Sequence, residues 1–262
     1  MHTIFPHLLR RTIKVAVVGC GGTGSAIVGG LPHLHQALIA GGHPSGLAVT
    51  VIDGDRISAA NCVRQPFSAS EIGLLKSVVL INRMNLFWGL HWQAIPQHLG
   101  AGAGPHLDND LDLVIGCVDS RAARAKIHDA LTATWCGIAY WLDLGNNADT
   151  GQFVLGQPLN RTNRHKAHRL RAVSELFPEI IDPALDDDQQ PSCSAAEALE
   201  RQHPFINQTL ANHALALLSR LFRCEPMAHH GGFLNLTSGA LVALRAEPKV
   251  WKRMRRTVRK PD

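Results

Sequence analysis

The stretch that decides the fold runs Val15-Ala16-Val17-Val18-Gly19-Cys20-Gly21-Gly22-Thr23-Gly24-Ser25. It leads to a second apolar run that closes in acid, Val51-Ile52-Asp53-Gly54-Asp55. Ile13–Val18 is almost wholly apolar and rich in β-branched residues, the composition of a parallel strand buried on both faces. Glycines at 19, 21, 22 and 24 let the chain turn sharply at the strand end. They also let a ligand approach the amides that open the next helix, where the helix dipole favours anions. An apolar run, a glycine turn, a helix and a second apolar run ending in acid make a nucleotide-binding βαβ unit. By itself the glycine pattern says nucleotide or dinucleotide, so the residues behind Asp53 decide the chemistry.

Outward from this unit the alternation continues. A helix is expected over 25–39, with Pro32 expected to kink or split it. Leu47–Ile52 is the second strand, 61–72 is irregular, and 74–86 carries apolar residues at helical spacing. Residues 111–117 read as another buried strand, followed by Asp119-Ser120-Arg121 and a helix to about residue 134. Further strands are expected at 139–144 and 151–155, an amphipathic helix at 205–222, and a terminal hairpin from 233–236 and 241–244. This pattern predicts an α/β fold with a Rossmann-like, mostly parallel sheet, helices on both faces, and a C-terminal antiparallel hairpin elaboration. At 262 residues the chain suits one domain, 1–262, better than two. Within it lie a nucleotide-binding core at 13–145, a crossing loop at 158–192, a helix and hairpin at 205–246, and a basic tail at 249–262. The crossing loop has few apolar residues and is expected to be mobile.

Lys+Arg number 26 against Asp+Glu 21, a net charge of +5, and much of the excess lies in the tail. That tail most simply reads as a solvated face, with nucleic acid as the minority reading. No run is apolar and long enough to span a bilayer, and the start lacks a signal-peptide layout. The six cysteines are scattered without a Cys-x-x-Cys pair, so reduced thiols in a cytoplasm are expected and a zinc site is not. His165 and His168 have helical spacing but no third ligand nearby, and His229-His230 reads as surface.

Behind Asp53 the chain supplies Asn61, Arg64, Gln65 and Lys76. A dehydrogenase needs the acid at the strand end, but nothing in its chemistry needs those cations and donors so close behind. A triphosphate does, because its oxygens carry several negative charges. Asp119, just past an apolar strand, is placed at a carboxyl edge where a carboxylate can hold Mg²⁺.

Gly19-x-Gly21-Gly22-x-Gly24, Asp53-x-Asp55, Asn61-x-x-Arg64-Gln65, Gly73-x-x-Lys76 and Cys117-x-Asp119 resemble the motif string of the ThiF-like (ubiquitin-activating-enzyme-like) adenylating family, over roughly residues 13–145. Pro191-Ser192-Cys193-Ser194 before the last large helix is similar to the family segment that carries an acceptor cysteine. With its Gly231-Gly232-Phe233-Leu234-Asn235 hairpin, the chain is most similar to the plasmid-borne PRTRC branch of that family.

The resemblance implies adenylation of the C-terminal carboxylate of a small ubiquitin-like protein with ATP and Mg²⁺. Gly19, Gly21, Gly22 and Gly24 would line the nucleotide, and Asp53 would take the ribose hydroxyls. Asn61, Arg64 and Lys76 would contact the triphosphate, and Asp119 would hold Mg²⁺. Asp55 would either touch the ligand or fix its own loop, and Gln65 would either touch ATP or orient Arg64. Cys193 would be a thioester acceptor or simply a small packed residue. A homodimer and a conjugating-enzyme-like partner are implied as well. Two features depart from the family. Arg10 and Arg11 sit in no recognisable copy of the arginine motif that completes a partner's ATP site, and the paired-cysteine zinc knuckle is missing. The alternatives that stay open are adenylation of a tRNA or a small molecule, and a non-catalytic scaffold.

Overall fold

The computed structural model describes residues 2–100, 106–186 and 202–258, and within the last helix it describes side chains only to Met254. Eight strands form one sheet in the order β3-β2-β1-β4-β5-β6-β7-β8. The strands are β1 (Ile13–Val18), β2 (Leu47–Ile52), β3 (Gln93–Ile95), β4 (Leu113–Gly116), β5 (Tyr140–Asn146), β6 (Thr150–Gly156), β7 (His229–Asn235) and β8 (Ala240–Arg245). The first five pair in parallel and the last three antiparallel, as the alternating pattern predicts. Strand order reverses between β1 and β4, so the loops after these two strands open a crevice at the carboxyl edge. Open α/β sheets bind ligands at such a switch point.

The helices are α1 (Gly22–Ala40), α2 (Asn61–Arg64), α3 (Lys76–Trp88), α4 (Arg121–Thr132), α5 (Val173–Leu176), α6 (Ile206–Phe222) and α7 (Pro248–Val258). Helix α1 packs on α6 and α3, while α4 packs on the 3₁₀ turns Pro178–Ile181 and Pro183–Leu185. The core is a single apolar cluster reaching from Ile4 to Trp251. No helix among the described residues is long and apolar enough to cross a membrane.

Several details differ from the sequence expectation. Helix α1 is not split, because Pro32 is buried within a helix braced against α6 along its length. The short strand β3 has no counterpart in the sequence pattern, since three residues reading Gln-Ala-Ile carry no alternation. Strand β4 is shorter than 111–117, running Leu113–Gly116, while Asp112 before it still bonds Lys14 and Tyr140 through its backbone and accepts from Arg11 at 2.6 and 2.9 Å through its carboxylate. His230 is not on the surface. It is fully buried in β7, where its Nδ1 bonds the Leu155 carbonyl at 2.6 Å and its Nε2 accepts the Trp251 indole N–H at 3.0 Å. The described part of the basic tail lies in α7, pinned to the body by Trp251.

Candidate nucleotide site

The glycine turn follows from contacts at the switch point. Gly19 has φ +93°, and a Cβ there would lie 2.7 Å from the Cys117 carbonyl at the end of β4. A Cβ on Gly24 would lie 2.0 Å from the Gly19 carbonyl oxygen, so both positions require glycine for the fold itself. Gly21 differs. It caps α1 at an ordinary φ of −71°, and a Cβ there meets nothing within 4 Å. Space is therefore left beside the first amides of α1, where a helix of this length binds anions well.

Asp53 directly follows β2 and is 6% exposed. One carboxylate oxygen accepts the Cys20 N–H from the glycine turn, and the other accepts the Asp55 N–H at 2.8 Å. Burial pushes its pKa up, while those two amides and Lys76 act against the shift. Asp55 is half-exposed, and its carboxylate accepts from Lys76 Nζ at 2.9 Å. That contact gives Asp55 a definite task in fixing the buried Lys76, the first residue of α3. Ser77 completes the corner by donating to the Asp53 carbonyl at 2.8 Å.

The opposite wall is less saturated. Asn61 opens α2 and accepts the Ser58 N–H at 2.9 Å. Arg64 closes α2 and donates through Nη1 to the Gln202 side-chain oxygen. Its Nε is buried without a partner, and burial lowers its pKa. Gln65 Oε1 is likewise buried and unpartnered, and Gln65 makes no side-chain bond to Arg64. Asp119 follows β4, is exposed, and takes part in no hydrogen bond or ion pair among the described residues. Cys193 lies outside the described residues. Cys20 and Cys117 are buried, and burial raises both thiols, which suits packing rather than chemistry. Arg11 is held within the chain by Asp112 at the amino end of β1, away from this edge.

Sequence reasoning missed a set of side chains around these residues. Thr23 donates within reach of Asn207 Oδ1 at 2.9 Å and Asn146 Oδ1 at 3.0 Å. Asn207 Nδ2 donates to Gln202 Oε1 at 3.2 Å. On the other face, Arg124 pairs with Asp143 at 2.8 Å and donates to the Val118 carbonyl at 3.0 Å, bracing the turn that carries Asp119. Asp186 accepts from the first amides of α4 at 2.6 and 2.9 Å. The sequence does hold one signal. Asn207 falls on the buried stripe of α6 with Leu210, Ala211 and Ala214, and a polar residue on an apolar stripe needs a partner.

These features define an α/β protein with a nucleotide-type crevice at the switch point of its sheet. The ThiF family model matches residues 8–239, and the chain belongs to the ThiF family. No curated protein matches it. Among solved structures it is similar to PaaA, with 16% identity, a TM-score of 0.58, and 91% of this chain covered against 65% of that one. It is similar as well to MccB of E. coli with MccA, at 16% identity, a TM-score of 0.58, and 91% against 64% coverage. A third similar structure is E. coli MccB with ATP, at 16% identity, a TM-score of 0.55, and the same coverages of 91% and 64%. The chain thus spans just under two thirds of these neighbours, and what they share with it is the fold.

Proposed function

We propose that this chain is an ATP- and Mg²⁺-dependent adenylating enzyme that activates the C-terminal carboxylate of a small ubiquitin-like protein. The observation that carries the reading is the unsaturated wall of the crevice. A buried guanidinium nitrogen without a partner and an exposed, unengaged carboxylate flank a glycine turn with open space above Gly21. A triphosphate with a bound cation matches that donor set, since it brings more negative charge than the pyrophosphate of a dinucleotide and a metal for the free carboxylate. The solved structure of E. coli MccB with ATP, on the same fold, adds support.

In the proposed step a carboxylate oxygen of the substrate attacks the α-phosphorus and forms a new P–O bond. The bond from that phosphorus to the bridging oxygen breaks, and its electron pair departs on pyrophosphate. The nucleophile is already ionised at neutral pH, so the chain supplies alignment and charge stabilisation rather than a base. The α1 amides and Gly21 receive a phosphate, Asp53 accepts from the ribose hydroxyls, and Asn61 and Gln65 orient the chain of phosphates. Arg64 stabilises the charge that builds on pyrophosphate, with Lys76 shared between Asp55 and the phosphates. Asp119 would hold Mg²⁺, which when bound neutralises phosphate charge. No cluster of three or more His, Cys, Asp or Glu exists among the described residues, and one carboxylate plus phosphates and water is an ordinary Mg²⁺ set. In the finer reading Cys193 Sγ then attacks the acyl carbonyl as thiolate and AMP leaves, giving a thioester.

The test is ATP–pyrophosphate exchange with Mg²⁺ and candidate ubiquitin-like proteins, beginning with any encoded beside this chain. Such a neighbour would also support the PRTRC placement, which rests on the resemblance of the whole chain, the Gly231–Asn235 segment of β7 included. Exchange should depend on the partner and be lost in Asp119→Ala. If NADH but not ATP raises the melting temperature of the protein, the reading is wrong. A hydroxylamine-sensitive adduct that persists in Cys193→Ala would reject the thioester.

A further inference from the structure

Among the described residues the buried arginines, Arg124 and Arg169, are paired with carboxyl groups, and half-buried Arg64 is the contrast. Arg124 pairs with Asp143 at 2.8 Å, and Arg169 pairs with Glu175 at 2.6 and 2.7 Å. Arg64 breaks that pattern. Its Nη1 donates to a neutral oxygen on Gln202, and among the described residues it has no ion pair.

Gln202 does not hold Arg64 by chance orientation. Its Oε1 also accepts from Asn207 Nδ2 at 3.2 Å, and its Nε2 donates to the Asn147 carbonyl at 3.3 Å, so the amide is fixed with its oxygen toward Arg64. Asn207 is buried, and its own Oδ1 accepts from Thr23 at 2.9 Å and from Asn146 Nδ2 at 3.3 Å. Neutral side chains thereby tie the guanidinium to the first turn of α1, where a Cβ on Gly22 would lie 2.4 Å from Asn207 Nδ2. A neutral acceptor orients a guanidinium and leaves its charge uncompensated. A carboxylate in the same place would orient it equally well and cancel most of that charge.

We propose that Gln202 is a positioning residue that aims Arg64 at a triphosphate, and that its neutrality sets the affinity for that anion. The inference rests on the reading of this crevice as an ATP site. It predicts a separation that a merely structural role would not give. Gln202→Glu gives the half-buried guanidinium a counter-charge, so the ligand-free protein should melt at or above the wild-type temperature. The same variant should bind ATP about tenfold or more weakly, since the anion now competes with a carboxylate. Gln202→Ala keeps the charge and loses the aim, so binding should weaken by roughly two- to fivefold with no gain in melting temperature.

The experiment is calorimetric titration of the full chain with ATP–Mg²⁺ and, separately, inorganic tripolyphosphate, with melting curves of each ligand-free variant. If Gln202→Glu binds both anions as tightly as wild type, the positioning role is overturned while the ATP reading stands. The positioning role is overturned equally if Gln202→Glu loses stability and affinity together, as a packing defect would. If wild type binds neither anion, the ATP reading falls and the role of Gln202 falls with it.

Discussion

The two faces of the sheet hold a cation near the carboxyl edge in opposite ways, Arg124 buried and Arg64 half-buried. On the α4 face Arg124 is 4% exposed and Asp143 is fully buried, and the guanidinium faces a carboxyl group at 2.8 Å. Burial pushes the Asp143 carboxyl up, its Oδ2 lacks a partner, and the guanidinium acts against that shift. On the α1 and α6 face Arg64 is held by carboxamides and a threonine hydroxyl, none of them charged. A cation neutralised inside the chain supports the fold, whereas a cation merely oriented by it is available to a ligand. The contrast separates residues that hold the site from residues that act in it.

The largest expected effect would break the first half of this contrast. Asp143→Ala strands a buried guanidinium, and loss of one partner of a buried pair costs about 3–5 kcal/mol. Urea unfolding of this variant should show a loss of that size, and a loss under about 1 kcal/mol would mean that Arg124 finds compensation elsewhere. Next comes Arg64→Ala. It removes no ion pair and should cost stability only about 1 kcal/mol, the range of one side-chain hydrogen bond. ATP affinity or exchange rate should fall by about 10²–10³-fold, the usual loss for one donor at developing charge. Arg64→Ala that unfolds like Asp143→Ala would erase the distinction between the two faces.

How much of this is legible in the sequence follows the same division. The βαβ unit and the placement of Asp53, Arg64, Lys76 and Asp119 behind strand ends are legible because each is tied to a local pattern or a short spacing. Partners that meet only through the fold are not. Gln202 reaches Arg64 across 138 positions, and Thr23 reaches Asn207 across 184, so no local spacing announces either contact. His230 misleads for a related reason. Beside two glycines it resembles a turn, yet those glycines lie in β7 where a Cβ on Gly231 would sit 2.3 Å from the Phe153 carbonyl oxygen. Close strand packing, not a turn, is what requires them.

His230 supplies the next prediction, on the stability side of the comparison. Its pKa is lowered to about 4, mainly by burial, from an ordinary 6.5. The unfolded chain therefore takes up a proton at a higher pH than the folded one. Its contribution is fully present above pH 6.5, declines as pH falls toward 4, and is flat below. By pH 5 the loss from this group alone is about 2 kcal/mol. His2, His128 and His229 are lowered too, with burial the largest cause in each, and add in the same direction. Urea midpoints measured from about pH 7.5 to 5 should fall steeply, and His230→Gln should flatten the slope. An unchanged slope would mean that His230 gains its proton without unfolding, through loss of the Trp251 bond.

The smallest expected change in stability tests the other side most sharply. Gly21→Ala places a methyl where no atom lies within 4 Å and where φ is ordinary for any residue. The fold should tolerate it to within about 0.5 kcal/mol, the range of surface substitutions. ATP affinity should nevertheless drop about tenfold, because the methyl occupies the space through which a phosphate reaches the α1 amides. Gly19 and Gly24 cannot serve this test, since the β4 end and the turn itself already exclude a side chain there. Gly21 is glycine without any demand from the protein around it. If the alanine variant binds ATP as wild type does, the residue answers to no ligand either, and the anion must approach Arg64 from the far side of the crevice.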